Sequence, residues 1–512
     1  MARGQAGKRT LAGSADLRIG VPDILTAETA ALCRGAATGY VCGLTEMRLV
    51  ESTKNRVAAQ YHFNQHEMKR CILLPGLQVL GVLAMLFAFQ TVRGQVSFVY
   101  DIKPTVTASM GDVGGKYFGQ PPDPAKTRHY YIAAEPVQWD FMPSGSDPIC
   151  GMTPSPTVQQ YHRVRKARYF QYTDGTFTHR VPQAARLGIL GPVLRGVVGE
   201  YLEVTFLNRT ALPLSMHPHG VKYDKDSEGS YYGNNNQPNV PNQGNRFAPG
   251  LGAAVGPNAR FTYVWYMDAE SGPLPTEPSS KGWLYHSHVS GEGEINLGLV
   301  GAIIVTDPKR ARPDGTPNDV DREMPALFMI FNESQADPEA YEHALGPDTG
   351  GNTQSISNLI SSLPGLNNQN TATSANPLKE EGERYTINGF IYGNLPGLEV
   401  NEGERVRWYL FGLGSESDLH TPHWHGLRVI EEGRRRTDTI ELLPGSMKVA
   451  DMVPDNPGDW LFHCHVEEHM AGGMFARVTV FPKDKPGAST SPEKAFLGFP
   501  PPVEGEHSKK AK

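Results

Sequence analysis

The segment His463-Cys464-His465-Val466-Glu467-Glu468-His469-Met470-Ala471-Gly472-Gly473-Met474 constrains this chain more tightly than any other. In an extended strand successive side chains point to opposite faces, so Cys464 faces one way and its two flanking imidazoles the other. A thiolate, an imidazole and a thioether favour copper, and a Cys with two His and a long axial Met is the blue-copper ligand set. The segment supplies the Cys, one His and the Met, so a second His has to come from elsewhere. His463 and His465 are left for a different metal on the opposite face. The chain must therefore place one strand between two metal sites, an arrangement suited to passing electrons from one copper to another.

The surrounding sequence reads as short strands. The chain has 512 residues, enough for two or three domains, with 55 Gly, 41 Pro and no long helical periodicity. Strand patterns occur at His129–Ala134, within Tyr161–Thr178, and at Leu187–Leu194, Tyr201–Phe206, Phe261–Tyr266 and Leu299–Val305. A Pro/Arg/Asp-rich stretch over 308–322 separates these from a second set. That set comprises Ala326–Phe331, Tyr385–Asn388, Val406–Leu410, Lys448–Met452 and Arg477–Val480. Short strands punctuated by turns predict an all-β protein of β-sandwich domains, the first over 127–307 and the second over 323–482. The second is interrupted by a polar insertion, 332–384. Residues 95–126 read as a linker and 483–512 as a disordered tail.

The N-terminal region reads differently. Met68-Lys69-Arg70 precedes an apolar run broken by Pro75, Gly76, Gln78 and Gly81, with small-residue positions near Gly94. A basic start, an apolar middle and a small-residue end are the layout of a secretory signal, so 68–94 is read as a signal peptide. The run is too short and impure for a membrane span of roughly 20 residues. Residues 1–67 are then an upstream extension of the gene model or a disordered tail. Removing 1–94 takes away Cys33, Cys42 and Cys71 and leaves Cys150 and Cys464, so no disulfide framework is expected. It also removes more basic than acidic residues, and the whole chain already has a net charge of −6. That balance excludes nucleic acid as a partner. The mature protein is expected to be exported, periplasmic or extracellular, without a stable membrane anchor.

Four segments carry ten of the 17 His: His217-Pro218-His219-Gly220, His286-Ser287-His288, His420-Thr421-Pro422-His423-Trp424-His425, and the opening segment. In extended backbone each His-x-His pair forms a two-pronged clamp. A structural zinc needs only four closed ligands and gains nothing from the remaining His, whereas redox copper explains both their number and the split around Cys464.

These segments resemble the four copper-binding motifs of the multicopper oxidases. The stretches Tyr172-Thr173-Asp174-Gly175-Thr176-Phe177, Tyr223–Gly229 and Asn388-Gly389 with Tyr392-Gly393-Asn394 are similar to the ceruloplasmin and hephaestin group, over about residues 127–482. The resemblance implies two cupredoxin-like Greek-key β-sandwich domains. It implies a type 1 copper on His420, Cys464, His469 and Met474, and a type 2 copper on His217 and His423. A type 3 pair would sit on His219, His286, His288, His425, His463 and His465. One type 1, one type 2 and two type 3 coppers then make an active unit, which oxidises a donor and reduces O2 to water.

The span between His288 and His420 leaves no room for a third domain. Two-domain relatives complete the trinuclear cluster between subunits, usually in a homotrimer, which is expected here. Glu228 matches the position of the family's acid beside the cluster and is a candidate proton source. Ceruloplasmin-like members oxidise Fe(II) with acidic residues near the type 1 ligands. Glu380 and Glu468 fit that role, but Tyr385 stands where the family has a His. The donor is O2's partner in the reaction, a small reducing substrate or metal ion. Alternatives to Fe(II) are phenols or aromatic amines in a laccase-like oxidase, and Cu(I). A copper-sequestering protein without turnover would not need Cys464 wired between two cluster His. A copper nitrite reductase would carry its type 1 ligands in the first domain.

Overall fold

Among the described residues, nineteen strands form four sheets, which stack as two sandwiches. The computed structural model describes residues 102–232, 249–290, 292–333, 382–415 and 417–488, all within the compact unit Arg93–Lys512. The expected signal 68–94, the segment before it, Glu380, most of the insertion 332–384 and most of the tail 483–512 lie outside the described residues.

The first sandwich contains β1 (Asp112–Gly114), β2 (Thr127–Asp140), β3 (Arg163–Tyr172), β4 (Val193–Val197), β5 (Tyr201–Asn208), β6 (His217–Pro218), β7 (Arg260–Tyr266), β8 (Ser280–His286) and β9 (Val300–Thr306). Its sheets run β1-β7-β5-β2-β3 and β4-β9-β8-β6. The second contains β10 (Arg322–Asn332), β11 (Glu383–Ile387), β12 (Glu399–Asn401), β13 (Val406–Gly412), β14 (Pro422–Trp424), β15 (Val429–Glu431), β16 (Arg435–Thr437), β17 (Met447–Met452), β18 (Gly458–Cys464) and β19 (Phe475–Phe481). Its sheets run β11-β10-β13-β17-β15-β16 and β12-β19-β18-β14. Among the described residues three short α-helices punctuate the strands: α1 (Pro156–Gln160), α2 (Glu292–Leu297) and α3 (Glu467–Ala471). This is the all-β, cupredoxin-like Greek-key arrangement expected from the sequence.

Sequence pattern follows position in the layers. In β5, Leu202, Val204 and Phe206 point inward and alternate with partly exposed residues, as a strand with one covered face should. In β9 the alternation is lost and every residue is buried. Val300, Ala302 and Ile304 join the core that extends through the second sandwich, while Ile303 and Val305 face the core of the first. The sheet carrying β8 and β9 is thus covered on both sides. That fixes the ends of β8, where His286 sits.

The two sandwiches repeat one connectivity. Parallel β2–β5 corresponds to parallel β10–β13, and parallel β4–β9 to parallel β12–β19. The antiparallel ladder β6–β8–β9 corresponds to β14–β18–β19. Even turn glycines recur. Gly220 has φ +67° and Gly426 φ +64°; a Cβ there would lie 2.1 Å from the Trp283 ring and 2.6 Å from the Trp460 ring respectively.

One expected strand is corrected. Leu187–Leu194 is mostly a loop, and β4 begins only at Val193. Gly188 adopts φ +52°, and a Cβ on it would lie 2.0 Å from the Asn388 carbonyl oxygen. The Ile189 N–H donates to that same oxygen at 3.0 Å. The apolar run is therefore a bridge onto the second sandwich, where Trp139 Nε1 also donates to the Gly389 carbonyl at 2.8 Å. Residues 102–126, read as a linker, run against the first sandwich: Val106 is buried, and β1 pairs in parallel with β7. Cys150 is exposed, Cys464 is buried, and both are free thiols.

Candidate metal centres

Strand register assembles the histidines in two quartets. In the first sandwich His217 on β6 lies opposite His286 on β8; in the second His423 on β14 lies opposite His463 on β18. Because the side-chain period is two, His219 and His288, and likewise His425 and His465, fall on the same faces as those partners. The His217 ring is 5.3, 5.6 and 5.1 Å from those of His219, His286 and His288. The His423 ring is 4.9, 5.3 and 5.3 Å from those of His425, His463 and His465.

Main-chain carbonyls orient the rings. His217 Nδ1–H donates to Glu228 O at 2.7 Å, and His423 Nδ1–H to Asp438 O at 2.9 Å. His286 and His463 each donate Nδ1–H to the carbonyl of the next residue, Ser287 at 2.9 Å and Cys464 at 2.8 Å. With Nδ1 engaged, Nε2 presents a lone pair. Those of His286 and His463 face His219 Nε2 and His425 Nε2, each at 3.0 Å. Converging imidazole lone pairs fit a shared metal ion, whose bonds to nitrogen run about 2.0–2.1 Å for zinc-sized ions.

Five of the eight rings are pushed towards the neutral form that a ligand needs. Burial, followed by the charge of neighbouring imidazoles, brings His219 down to about 4 and His463 to about 4. The same causes bring His286 down to about 3. His217 and His425 are lowered for the same reasons. His425 and His465 are exposed. Among the described residues no ring of one quartet contacts a ring of the other.

A third group lies behind the second quartet. Cys464 Sγ is 3.9 Å from His420 Nδ1 and 3.6 Å from His469 Nδ1, and the two nitrogens are 3.2 Å apart. All three residues are buried. Met474 is buried beside Cys464 in the same core. The Cys464 N–H donates to Met474 O at 3.0 Å, and the Met474 N–H donates to His469 O at 2.9 Å. Burial alone would raise the Cys464 thiol, but contacts from His420, His469 and the Thr421 and Val466 amides outweigh it and bring it to about 6. Burial also opposes charge on His420, yet hydrogen bonds with Asp418 and Cys464 hold it above the ordinary imidazole value. A softened thiolate among two Nδ1 atoms and a thioether residue fits copper.

Asp418 was not singled out by sequence reasoning. Its Oδ1 accepts from His420 Nε2 at 3.2 Å and from the Ile330 N–H at 2.7 Å, fixing the ring from behind. Its position two residues before His420 is the only signal the sequence offers. Glu228 reaches the first quartet through its backbone carbonyl, while its side chain pairs with Lys225 and accepts from Tyr232 Oη at 2.9 Å. Glu468 is exposed on α3, adjacent to buried His469. The Tyr385 ring packs 5.3 Å from the His469 ring, and its hydroxyl donates to Glu383 Oε2 at 2.7 Å.

Residues 363–484 match the family described as multicopper oxidase. The chain is 31% identical over 376 residues to the Mus musculus protein named ferroxidase HEPHL1, covering 70% of this chain and 29% of that protein. It is 34% identical over 374 residues to Rattus norvegicus hephaestin, covering 69% and 29%. With Homo sapiens ceruloplasmin it is 32% identical over 368 residues, covering 69% and 32%. The chain thus spans about three tenths of the length of these relatives.

Proposed function

We propose that this chain, whose residues 363–484 match the multicopper oxidase family and which resembles hephaestin and ceruloplasmin, is an oxidase of that family coupling donor oxidation to the reduction of O2 to water. Copper would supply the redox chemistry when bound, single-electron oxidation of the donor at a type 1 site and four-electron reduction of O2 at a type 2 and type 3 cluster. His420, Cys464, His469 and Met474 would hold the first. The two quartets would share the others, with His217 and His423 on the type 2 ion. The observation that carries this reading is the buried Cys464 beside His420 and His469, while its chain neighbours His463 and His465 stand in a quartet.

The second quartet has two exposed rings, the first has three half-buried ones, and no ring of one contacts a ring of the other, which supports assembly of the cluster between subunits in a homotrimer. Copper-loaded protein should scatter light as a trimer; a fully active monomer would remove the idea. The reading of 68–94 as an export signal places the enzyme outside the cytoplasm. Glu228 would deliver protons beside His217. Glu228→Gln should slow turnover while leaving copper content and blue colour intact.

Fe(II) is the donor favoured by the exposed carboxylate of Glu468 next to His469, since carboxylates suit a hard cation. A laccase-like reading has its own support. Leu419 and Leu443, 52% and 59% exposed, flank the antiparallel His420–Leu442 bridge and offer an apolar approach for a phenol. Oxygen uptake on copper-loaded enzyme should be measured with Fe(II), a phenol and Cu(I) in turn. Preference for Fe(II), lost in Glu468→Ala, supports the ferroxidase. Preference for the phenol, lost in Leu443→Asp, supports the laccase. No uptake with any donor leaves copper sequestration.

A further inference from the structure

Backbone correspondence between the sandwiches identifies what the first one holds where the second holds its Cys464 site. The His420 N–H and C=O exchange hydrogen bonds with Leu442, as those of Leu214 do with Val255. Cys464 and Ser287 each lie between two quartet histidines and donate their amides to Met474 O at 3.0 Å and Leu299 O at 3.1 Å. The Met474 N–H returns to His469 O at 2.9 Å, and the Leu299 N–H to Glu294 O at 3.1 Å. Glu294 and His469 are each the third residue of the helix after the quartet strand. The glycines before Leu299 and Met474 match as well, Gly298 at φ +106° and Gly473 at φ +105°. The four positions His420, Cys464, His469 and Met474 are thus Leu214, Ser287, Glu294 and Leu299 in the first sandwich, which lacks the soft donors that copper of this kind requires.

The place is not simply filled with apolar side chains. Glu294 is 1% exposed. Its Oε2 accepts from the Val289 N–H at 2.9 Å, and its Oε1 from the Ser290 N–H at 2.8 Å and Ser290 Oγ at 2.9 Å. It also hydrogen-bonds the Ser287 side chain. Ser287 Oγ in turn accepts from the Ser215 N–H at 3.0 Å, and Ser215 Oγ from the His288 N–H at 3.0 Å. In the second sandwich the matching amide, Val466 N–H, points to Cys464 Sγ instead. A carboxylate that accepts several buried donors is costly to remove, because each donor left behind is unsatisfied.

We propose that Glu294 is a positioning residue for the trinuclear site: its carboxylate clamps the turn after β8 and so fixes His286 and His288, the task that the metal-ligating thiolate and imidazole perform in the second sandwich. This rests on the reading of the quartets as copper ligands. Glu294 touches no reacting atom and acts only through the backbone that carries the two imidazoles.

The test is copper titration of Glu294→Gln in the full chain, followed by metal analysis, visible absorption and electron paramagnetic resonance. Glutamine keeps the volume but turns an amide N–H2 towards N–H donors. Affinity for the cluster coppers should fall about 10–100-fold, as for other residues that orient metal ligands. The type 1 blue band, which reports the second sandwich, should be unchanged. A variant with full copper content and unaltered type 2 and type 3 signals overturns the proposal. If Glu294→Gln does not fold, Ser290→Ala decides: removing one donor should weaken the same coppers less, and no change overturns the clamp. A wild-type chain that binds type 1 copper alone would refute the quartet reading itself, a result distinct from either variant's.

Discussion

Corresponding ends of the two sandwiches share a quartet of imidazoles and differ in four buried residues behind it: Leu214, Ser287, Glu294 and Leu299 in one, His420, Cys464, His469 and Met474 in the other. Strand register, turn glycines and carbonyl partners are alike in both. The quartet is therefore a property of the backbone, set by where β6 crosses β8 and β14 crosses β18. The site behind it is a property of side chains alone. One scaffold can lose a metal centre without moving the neighbouring ligands, provided the vacated donors are replaced by others that hold the same turn.

Making the second sandwich resemble the first should have the largest effect. Cys464→Ser copies Ser287, removes the only soft anionic donor of the triad, and should abolish the visible band and reduce oxygen uptake to background. Cluster copper measured by metal analysis should persist; its loss would mean that the two sites are not separable. Asp418→Asn should be milder. Weakening the acceptor behind His420 should lower type 1 copper affinity about 10–100-fold, read by titration of the blue band, with the quartets unaffected.

Smaller again is the effect of the paired glycines. Gly220→Ala and Gly426→Ala both force a side chain into the left-handed region against a Trp ring. Each should cost about 1–3 kcal/mol of stability, measured by thermal unfolding of copper-free protein. The Trp283 contact is the closer of the two, so Gly220→Ala should be the more damaging. Equal costs would indicate that the Trp side chains move aside. The gentlest probe is acid. His219, His286 and His463 have pKa values below the usual 6.5, so below that pH the unfolded chain binds protons that the folded chain refuses. Copper-free stability should be complete above about pH 6.5 and decline as pH falls towards about 4. The first quartet holds two of the three strongly shifted groups. Replacing His286 with Gln should flatten this decline.

Much of this was legible in the sequence. Short runs rich in β-branched and aromatic residues, bounded by turns, located β5, β7, β13 and β19, and the repeated His-x-His spacing pointed to both quartets, because period-two geometry is local. The failures came where a residue's role depends on what the chain folds against. Leu187–Leu194 looks like a strand, but Gly188 turns it onto Asn388 of the other sandwich. Glu294 is an ordinary acid in a short helix until its backbone is matched to that of His469. Glu228 was noted for its carboxylate, yet the contact it makes with His217 runs through its carbonyl oxygen.

The hydrogen bond from His463 Nδ1–H to the Cys464 carbonyl has one more consequence. If Cys464 passes electrons to a metal cluster beside it, as proposed, an electron leaving Sγ along covalent bonds would pass through Cβ and Cα before following the main chain to either neighbouring imidazole. The 2.8 Å bond offers a bypass from the carbonyl straight into the His463 ring. Only the acceptor half of that shortcut is a peptide group, which side-chain substitution leaves in place; its donor is the His463 ring itself. Mutation of His463 would remove the shortcut, whereas the covalent route from Cys464 to either neighbour keeps the length that the strand sets.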